Sequence, residues 1–225
     1  MTTALITGAN KSLGLETARR LLEAGHTVYA GMRDLANGDA ASALGAIPVQ
    51  LDVTDQASVD TAIASLPALD VLVNNAGIVG GARTIDELTP EIMQRTLDTN
   101  VIGIVRVTQA ALPLLRESAN PVIVNVASGL GWPKFLLEHP DAQHVLAVPY
   151  PASKAAVIAL TVQYARSLPG MRINVTDPGY TDTDFNGHTG HQTITEGTDA
   201  TVALATIGPD GPTGEFHNRD GRIEY

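Results

Sequence analysis

Short runs of β-branched and aliphatic residues alternate along this chain with longer segments in which apolar positions recur every three or four residues. The first kind of run suits a strand buried on both faces and the second an amphipathic helix, so the alternation predicts βαβ units around a parallel sheet. Strands are predicted over residues 4–7, 27–32, 47–51, 71–74, 122–126 and 172–176, with a short one near 214–216. Helices are predicted over 13–24, closed by Gly25, over 56–65, capped by Asp55, and from Thr89-Pro90 to about Leu115. Residues 101–107 are β-branched enough to suggest a strand. A helix is expected there instead, because a strand would leave no crossover between the runs at 71 and 122. A further helix is expected from Tyr150 to Ser167, starting close to Tyr150 because Pro149 and Pro151 suit only a first turn.

No linker-like stretch, internal repeat or low-complexity tract interrupts the pattern, so the 225 residues are expected to form a single α/β domain, 1–225. The formal charge of −10 disfavours nucleic acid and anionic membrane as partners. Lysine occurs only at Lys11, Lys134 and Lys154. Cysteine is absent, which excludes disulfides and thiolate chemistry. The opening Met1-Thr2-Thr3 leads into a strand-like run, and no stretch of about 18 apolar residues occurs, so a soluble cytoplasmic protein is the expectation.

Candidate chemistry begins after the first predicted strand, in Thr7-Gly8-Ala9-Asn10-Lys11-Ser12-Leu13-Gly14. Glycines in a strand-to-helix turn allow a tight bend, and the helix N-terminus offers unpaired N–H groups to a pyrophosphate, although an ordinary glycine turn reads the same way in isolation. The second strand ends in Met32-Arg33-Asp34, with Met32 where an acid would accept from the ribose hydroxyls of NAD. Arg33, with Lys11 in the turn, would instead meet a ribose 2′-phosphate, which favours NADP(H) over NAD. The alternative for Arg33 is a pair with Asp34 or solvent. In Tyr150-Pro151-Ala152-Ser153-Lys154 a phenol and an ammonium share one helical face, and the adjacent cation would bring the phenol toward its anionic form. The same spacing also fits a solvated surface pair. His139, His144, His188 and His191 lack the spacing with carboxylates or thiols that a zinc site needs, so no metal is expected.

Taken in order, Thr7-Gly8-x-x-x-Ser12-x-Gly14, Leu51-Asp52-Val53, Asn74-Asn75-Ala76-Gly77, Asn100, Ser128, Tyr150-x-x-x-Lys154 and Pro178-Gly179 resemble the short-chain dehydrogenase/reductase family over nearly the whole chain. The Asn10-Lys11 turn, Arg33 and Gly211-Pro212-Thr213-Gly214-Glu215-Phe216 look most like its NADPH-dependent carbonyl-reductase branch. The resemblance implies a seven-stranded, doubly wound parallel sheet between two helical layers. It implies that Gly8, Asn10, Lys11, Ser12, Leu13 and Gly14 cradle the cofactor phosphates and that Arg33, Asp52 and Val53 meet the adenosine end. Asn75, Ala76 and Gly77 would line the groove, with Pro178, Gly179, Thr181 and Thr183 flanking the nicotinamide. By the same resemblance Tyr150 is the general acid, Lys154 holds the nicotinamide ribose and lowers the Tyr150 pKa, Ser128 hydrogen-bonds the substrate oxygen, and Asn100 supports a water that passes protons to Lys154. Relatives pair through two long helices, here about 89–115 and 150–167, where Ala155, Ala156 and Ala159 permit close approach, so a homodimer or homotetramer is implied.

Asp52 also reads as a cap for the following segment, Asn74-Asn75 as the brace of a turn, Ser128 as a strand-end cap and Asn100 as a helix-surface amide. Ser12 replaces the middle glycine of the turn and narrows its backbone angles, and Thr181 stands where relatives carry an aliphatic residue. Residues 130–148, with Trp132, Lys134, Phe135 and Leu136, are expected to wall the pocket. Residues 182–193 are short and polar, with Gly187 and Gly190, which predicts an open site suited to a bulky carbonyl compound. The leading function is therefore NADPH-dependent reduction of a ketone, aldehyde or quinone. Alcohol oxidation with NADP⁺ and a non-catalytic NADPH-binding sensor or scaffold are the alternatives.

Overall fold

The computed structural model describes residues 2–82, 84–142 and 145–224; His144 lies outside them. The elements run β1 (Thr3–Thr7), α1 (Ser12–Glu23), β2 (Thr27–Met32), α2 (Asp39–Ala43), β3 (Ile47–Gln50), α3 (Gln56–Ala64), β4 (Val71–Asn74), α4 (Pro90–Leu97), α5 (Gly103–Glu117), β5 (Val122–Val126), α6 (Pro133–Glu138), α7 (Pro149–Ser167), β6 (Arg172–Thr176), α8 (Ile194–Gly197), α9 (Asp199–Ala205), β7 (Phe216–Asn218) and β8 (Gly221–Ile223). They build one sheet in the order β3-β2-β1-β4-β5-β6-β7-β8. Pairing is parallel from β3 through β7, as the βαβ rhythm requires.

The period of two along each strand explains the layers. Ala4 and Ile6 of β1 face the α1 and α9 side with Val71, Val73, Val122 and Val124, against Ala18, Leu21 and Leu204. Leu5, between them, faces the opposite side with Leu72, Ile123 and Ile173, against Val59 and Ile63 of α3 and Val107, Ala111 and Leu115 of α5. A strand buried on both faces reads as a continuous apolar run, the signal that β1, β4 and β5 carry in the sequence.

Three expectations need correction. The sheet has eight strands, because Asn218-Arg219-Asp220-Gly221 turns the chain back and β8 pairs antiparallel with β7. The seventh strand lies at Phe216–Asn218 rather than near 214–216; Gly214, with φ 77°, belongs to the turn before it. The long helix expected from Thr89 to about Leu115 is not continuous, for a π turn at Asp98–Ile102 separates α4 from α5. Residues 101–107 are helical, as the crossover argument demanded.

Strand order reverses between β1 and β4, whose successors diverge toward opposite ends of the sheet. At such a switch point the loops leaving the carboxyl ends part and leave a crevice. Gly8 to Gly14 follows β1 and Asn75 to Gly77 follows β4, so the two glycine-bearing segments meet across it.

Candidate active site

The turn after β1 is shaped by close contacts that only glycine allows. Gly8 has φ 67°, and a Cβ on Gly14 would lie 2.3 Å from the Gly8 carbonyl oxygen and 2.6 Å from Asn75 Nδ2. Asn75 Nδ2 donates to the Thr7 oxygen at 2.9 Å and to the Gly8 oxygen at 3.1 Å, so it braces the turn from the β4 side. Ser12 takes φ 52° in the left-handed region, the strain foreseen for a non-glycine there. Lys11, the N-cap of α1, makes no side-chain cap bond, which leaves the first N–H groups of a 12-residue helix without a side-chain acceptor. Asn10 and Leu13 sit half-buried beside them.

Arg33 is exposed at the carboxyl end of β2, and no ion pair among the described residues reaches it. Asp34 does not neutralise it in a pair; its carboxylate accepts from Ala36 N at 3.0 Å and caps a turn. Asp52 Oδ1 is engaged locally, by Thr54 N at 2.9 Å and Thr54 Oγ1 at 2.7 Å. Val53 is buried against the first residue of α5, where a Cβ on Gly103 would come within 3.0 Å. Ala76 N donates to Thr7 Oγ1 at 3.0 Å, and Gly77 lies close to both Asn100 and Lys154.

Asn100 is fully buried in the π turn rather than set on a helix surface. Its Oδ1 accepts from Ile78 N at 2.8 Å, and its Nδ2 donates to the Ile78 oxygen and to Ser153 Oγ, each at 2.9 Å. The amide thereby ties the chain after β4 to α7, one residue from Lys154. The extra residue of the π turn lets this side chain aim inward.

Ser128, Tyr150 and Lys154 converge above β5. The Ser128 hydroxyl, just past the strand, accepts from Leu130 N at 3.2 Å. Lys154 is 4% exposed; its ammonium donates to the Val126 oxygen at 2.7 Å and sits 5.5 Å from the centre of the Tyr150 ring. Burial pulls Lys154 down to about 8, against the charge of Asp177. Burial also pushes the Tyr150 phenol above its usual value, with the Ser128 hydrogen bond opposing and Asp177 adding to the rise. The expected lowering of the Tyr150 pKa by Lys154 is therefore not what this arrangement produces. The ammonium lies against the ring and spends a bond on Val126, so desolvation prevails and the phenol keeps its proton at neutral pH.

Beyond these residues a cleft of about 230 Å³ opens, lined by Ser128, Leu130, Phe135, Asp177, Tyr180 and Gln192 among others. The segment 130–148 contributes Leu130, Phe135, His139, Asp141 and Val145 to it. Pro178 and Gly179, the latter with φ 69°, form its floor. Thr181 is turned inward, donating to the Pro178 oxygen at 2.9 Å, and Thr183 is buried as it opens the turn at Asp184–Asn186.

The segment 182–193 is not as open as its polarity predicts. Phe185 tilts over Tyr150 with ring centres 5.3 Å apart, and Asp184 Oδ2 takes Lys11 Nζ at 2.7 Å. His188 completes a clasp, bridging Asp182 at 2.8 Å and Asp184 at 2.9 Å. The loop is braced on itself through His188, Asp182 and Asp184 and is tied to the turn after β1 by the Asp184–Lys11 pair. His139 stacks on Phe135 and His191 meets Tyr180 edge-on. Among the described residues no group of acids and histidines is placed to hold a metal ion.

Sequence reasoning missed Asp177, Phe185, Gln192 and the β7–β8 turn. Asp177 had a readable signal, an acid that directly follows a strand and directly precedes Pro178-Gly179. The others depend on how the loop and edge hairpin fold back.

The fit to a dinucleotide rests on the glycine cradle at Gly8 and Gly14 and on the uncapped start of α1. A family model described as short chain dehydrogenase matches residues 2–193. The (+)-neomenthol dehydrogenase of Capsicum annuum is 30% identical, covering 96% of this chain and 95% of the relative. The (−)-isopiperitenone reductase of Mentha piperita is 31% identical, covering 96% of each chain. Salutaridine reductase from Papaver somniferum superposes with a TM-score of 0.81 at 27% identity, covering 96% of this chain and 99% of that one.

Proposed function

This chain belongs to the short-chain dehydrogenase family of oxidoreductases, and we propose that it reduces a ketone, aldehyde or quinone to the alcohol with NADPH. The observation that carries this reading is the convergence of Ser128, Tyr150 and Lys154 beside a cleft that Ser128 lines. Relatives named as reductases support the direction.

In this reading Gly8, Asn10, Lys11, Ser12, Leu13 and Gly14 hold the phosphates, and Arg33, Asp52 and Val53 the adenosine end. Asn75, Ala76, Gly77, Pro178, Gly179, Thr181 and Thr183 line the path to the nicotinamide. The cofactor, when bound, supplies a hydride to the carbonyl carbon. Ser128 Oγ hydrogen-bonds the carbonyl oxygen as negative charge develops, and Tyr150 Oη gives that oxygen its proton, so C=O becomes CH–OH. Lys154 holds the nicotinamide ribose and offsets the phenolate left on Tyr150. Asn100 keeps the strand-end loop at Ile78 and the helix at Ser153 in register, which supports proton supply to Lys154.

Arg33 and Lys11 support NADPH over NADH in this reading. Lys11 is engaged with Asp184, but that pair is more than half exposed on both sides. An exposed pair is worth about 0–1 kcal/mol, so a 2′-phosphate can displace it. Pairing of copies through α5 and α7 belongs to the same reading and is checked by analytical ultracentrifugation.

The test is NADPH consumption against a panel of dicarbonyls, quinones and keto-esters, with Tyr150→Phe beside the parent protein. The expected result is turnover with at least one class, lost by roughly 10²- to 10⁴-fold in the variant, while NADPH affinity measured by fluorescence is unchanged. Turnover within a few-fold of the parent would refute the role of Tyr150.

A further inference from the structure

Asp177 is a buried acid that the reaction outlined above does not use. It follows β6, is 6% exposed, and lines the cleft beside Ser128. Its Oδ1 accepts from Gly179 N at 2.9 Å, and its Oδ2 lies against Gly129. The approach to Gly129 is close enough that a Cβ there would sit 2.8 Å from Asp177 Oδ2, so the turn after Ser128 is shaped around this carboxylate. One side chain thus joins the turn that carries Ser128 to the turn that carries Gly179.

The charged and titratable groups that face Asp177 are Lys154 and Tyr150 from α7 and His139 from the turn after α6. Lys154 is a second charge buried in this region; it forms no ion pair with Asp177 within 4 Å, so the carboxylate acts on the ammonium through its field across the buried space and not by contact. The Val126 carbonyl supplies Lys154 with a hydrogen bond but no net charge.

We propose that Asp177 is a positioning residue for carbonyl reduction: its carboxylate fixes the Ser128 and Gly179 turns relative to each other and balances the ammonium of Lys154 in the floor of the site. The proposal rests on the reading of Lys154 as part of that site. It assigns the acid a role through its neighbours and requires no contact with substrate.

Burial pulls Lys154 down to about 8, and the Asp177 charge works in the opposite direction. Burial raises Asp177 itself, while the Gly179 and Gly129 N–H groups, His139 and Lys154 hold it down. Removing the carboxylate charge therefore lets Lys154 lose its proton at a lower pH. A merely structural acid would change folding stability and leave that titration alone.

Only three lysines occur in the chain, so protein labelled with ¹³C at lysine Cε gives three resolvable titrations, and Lys154 is the one assigned by its absence in Lys154→Met. In Asp177→Asn the Lys154 titration is expected to move down by about one pH unit, a tenfold change in its proton affinity. Lys11 and Lys134 are expected to stay in place. The alkaline limb of kcat/KM, measured with any carbonyl compound that is turned over, moves in the same direction. A Lys154 titration that superposes on the parent's overturns the proposal. Should Asp177→Asn not fold, the side-chain carboxyl ¹³C signal of Asp177 is followed in the parent protein. A displacement as Lys154 titrates supports the coupling, and a flat signal overturns it. The lysine readout needs no turnover, so a shifted titration without NADPH consumption by any substrate would refute the reductase reading and leave the electrostatic coupling of Asp177 to Lys154 intact.

Discussion

At the scale of single residues, Ser12 is the clearest departure from an unstrained turn. A side chain in the left-handed region costs roughly 1–2 kcal/mol relative to glycine, partly offset by the greater freedom that glycine has when unfolded. Ser12→Gly is therefore expected to raise stability by up to about 1 kcal/mol, read as a higher urea midpoint. Gly14→Ala has the opposite sign, because its Cβ would strike the Gly8 carbonyl at 2.3 Å and no flexible side chain can yield there. Loss of nucleotide binding, with the fold retained by circular dichroism, is the expected outcome. Lys11 offers a third test. In Asp184→Asn its ammonium is no longer claimed by a carboxylate, so NADPH is expected to bind a few-fold more tightly and NADH without change, as measured by calorimetry. Equal gains for both nucleotides would show that Lys11 does not read the 2′-phosphate.

Among the elements, the break between α4 and α5 shows how a functional side chain overrides helical regularity. The sequence of 90–115 has the periodicity of one helix, and the π turn at Asp98–Ile102 inserts the one residue that points Asn100 at the Ile78 backbone. Asn100→Ala removes the partners of the half-buried Ile78 N–H and C=O, at a cost of up to about 1–3 kcal/mol for each group that water does not reach. A clear drop in the urea midpoint is expected, and an unchanged midpoint would show that water replaces the amide. A similar polar layer joins strands to helix, where Asn74 Nδ2 meets Asn125 Oδ1 at 2.8 Å and Asn125 Nδ2 meets Thr161 Oγ1 at 2.9 Å. Polar strand ends in an apolar run are thus used to set α7, and with it Tyr150, on the sheet.

For the molecule as a whole, the segment 182–193 closes the crevice from above, and its clasp depends on pH. Asp182 and then Asp184 raise the His188 pKa above its ordinary 6.5. The folded, clasped loop therefore holds a proton that the free loop has already released, so the clasp is fully formed below pH 6.5 and weakens as pH rises through the raised value. Amide hydrogen exchange of residues 182–193, corrected for its intrinsic pH dependence, is expected to show protection falling across that window. His188→Ala is expected to abolish the trend. The same loop decides access to Tyr150 through Phe185, so opening belongs to any turnover cycle.

The alternation of runs was enough to read a parallel α/β sheet, because strands buried on both faces leave continuous apolar stretches and their crossovers need helices. The glycines after β1, and the Tyr150 and Lys154 pair, were likewise readable, since tight turns and shared helical faces are local properties of spacing. Asp177 escaped because its meaning lies in Gly129 and Lys154, residues distant in sequence that approach it only once β5, β6 and α7 are packed. The same holds for the pKa of Tyr150, where spacing argued for a lowered value and burial raised it. Composition and order of residues determined the sheet, the glycine-bearing turn after β1 and the shared face of Tyr150 and Lys154. Only the tertiary structure decided how deeply Ser128, Tyr150 and Lys154 are buried, which acid lies near them and what covers them, because desolvation and charge interactions depend on distances through space and not along the chain.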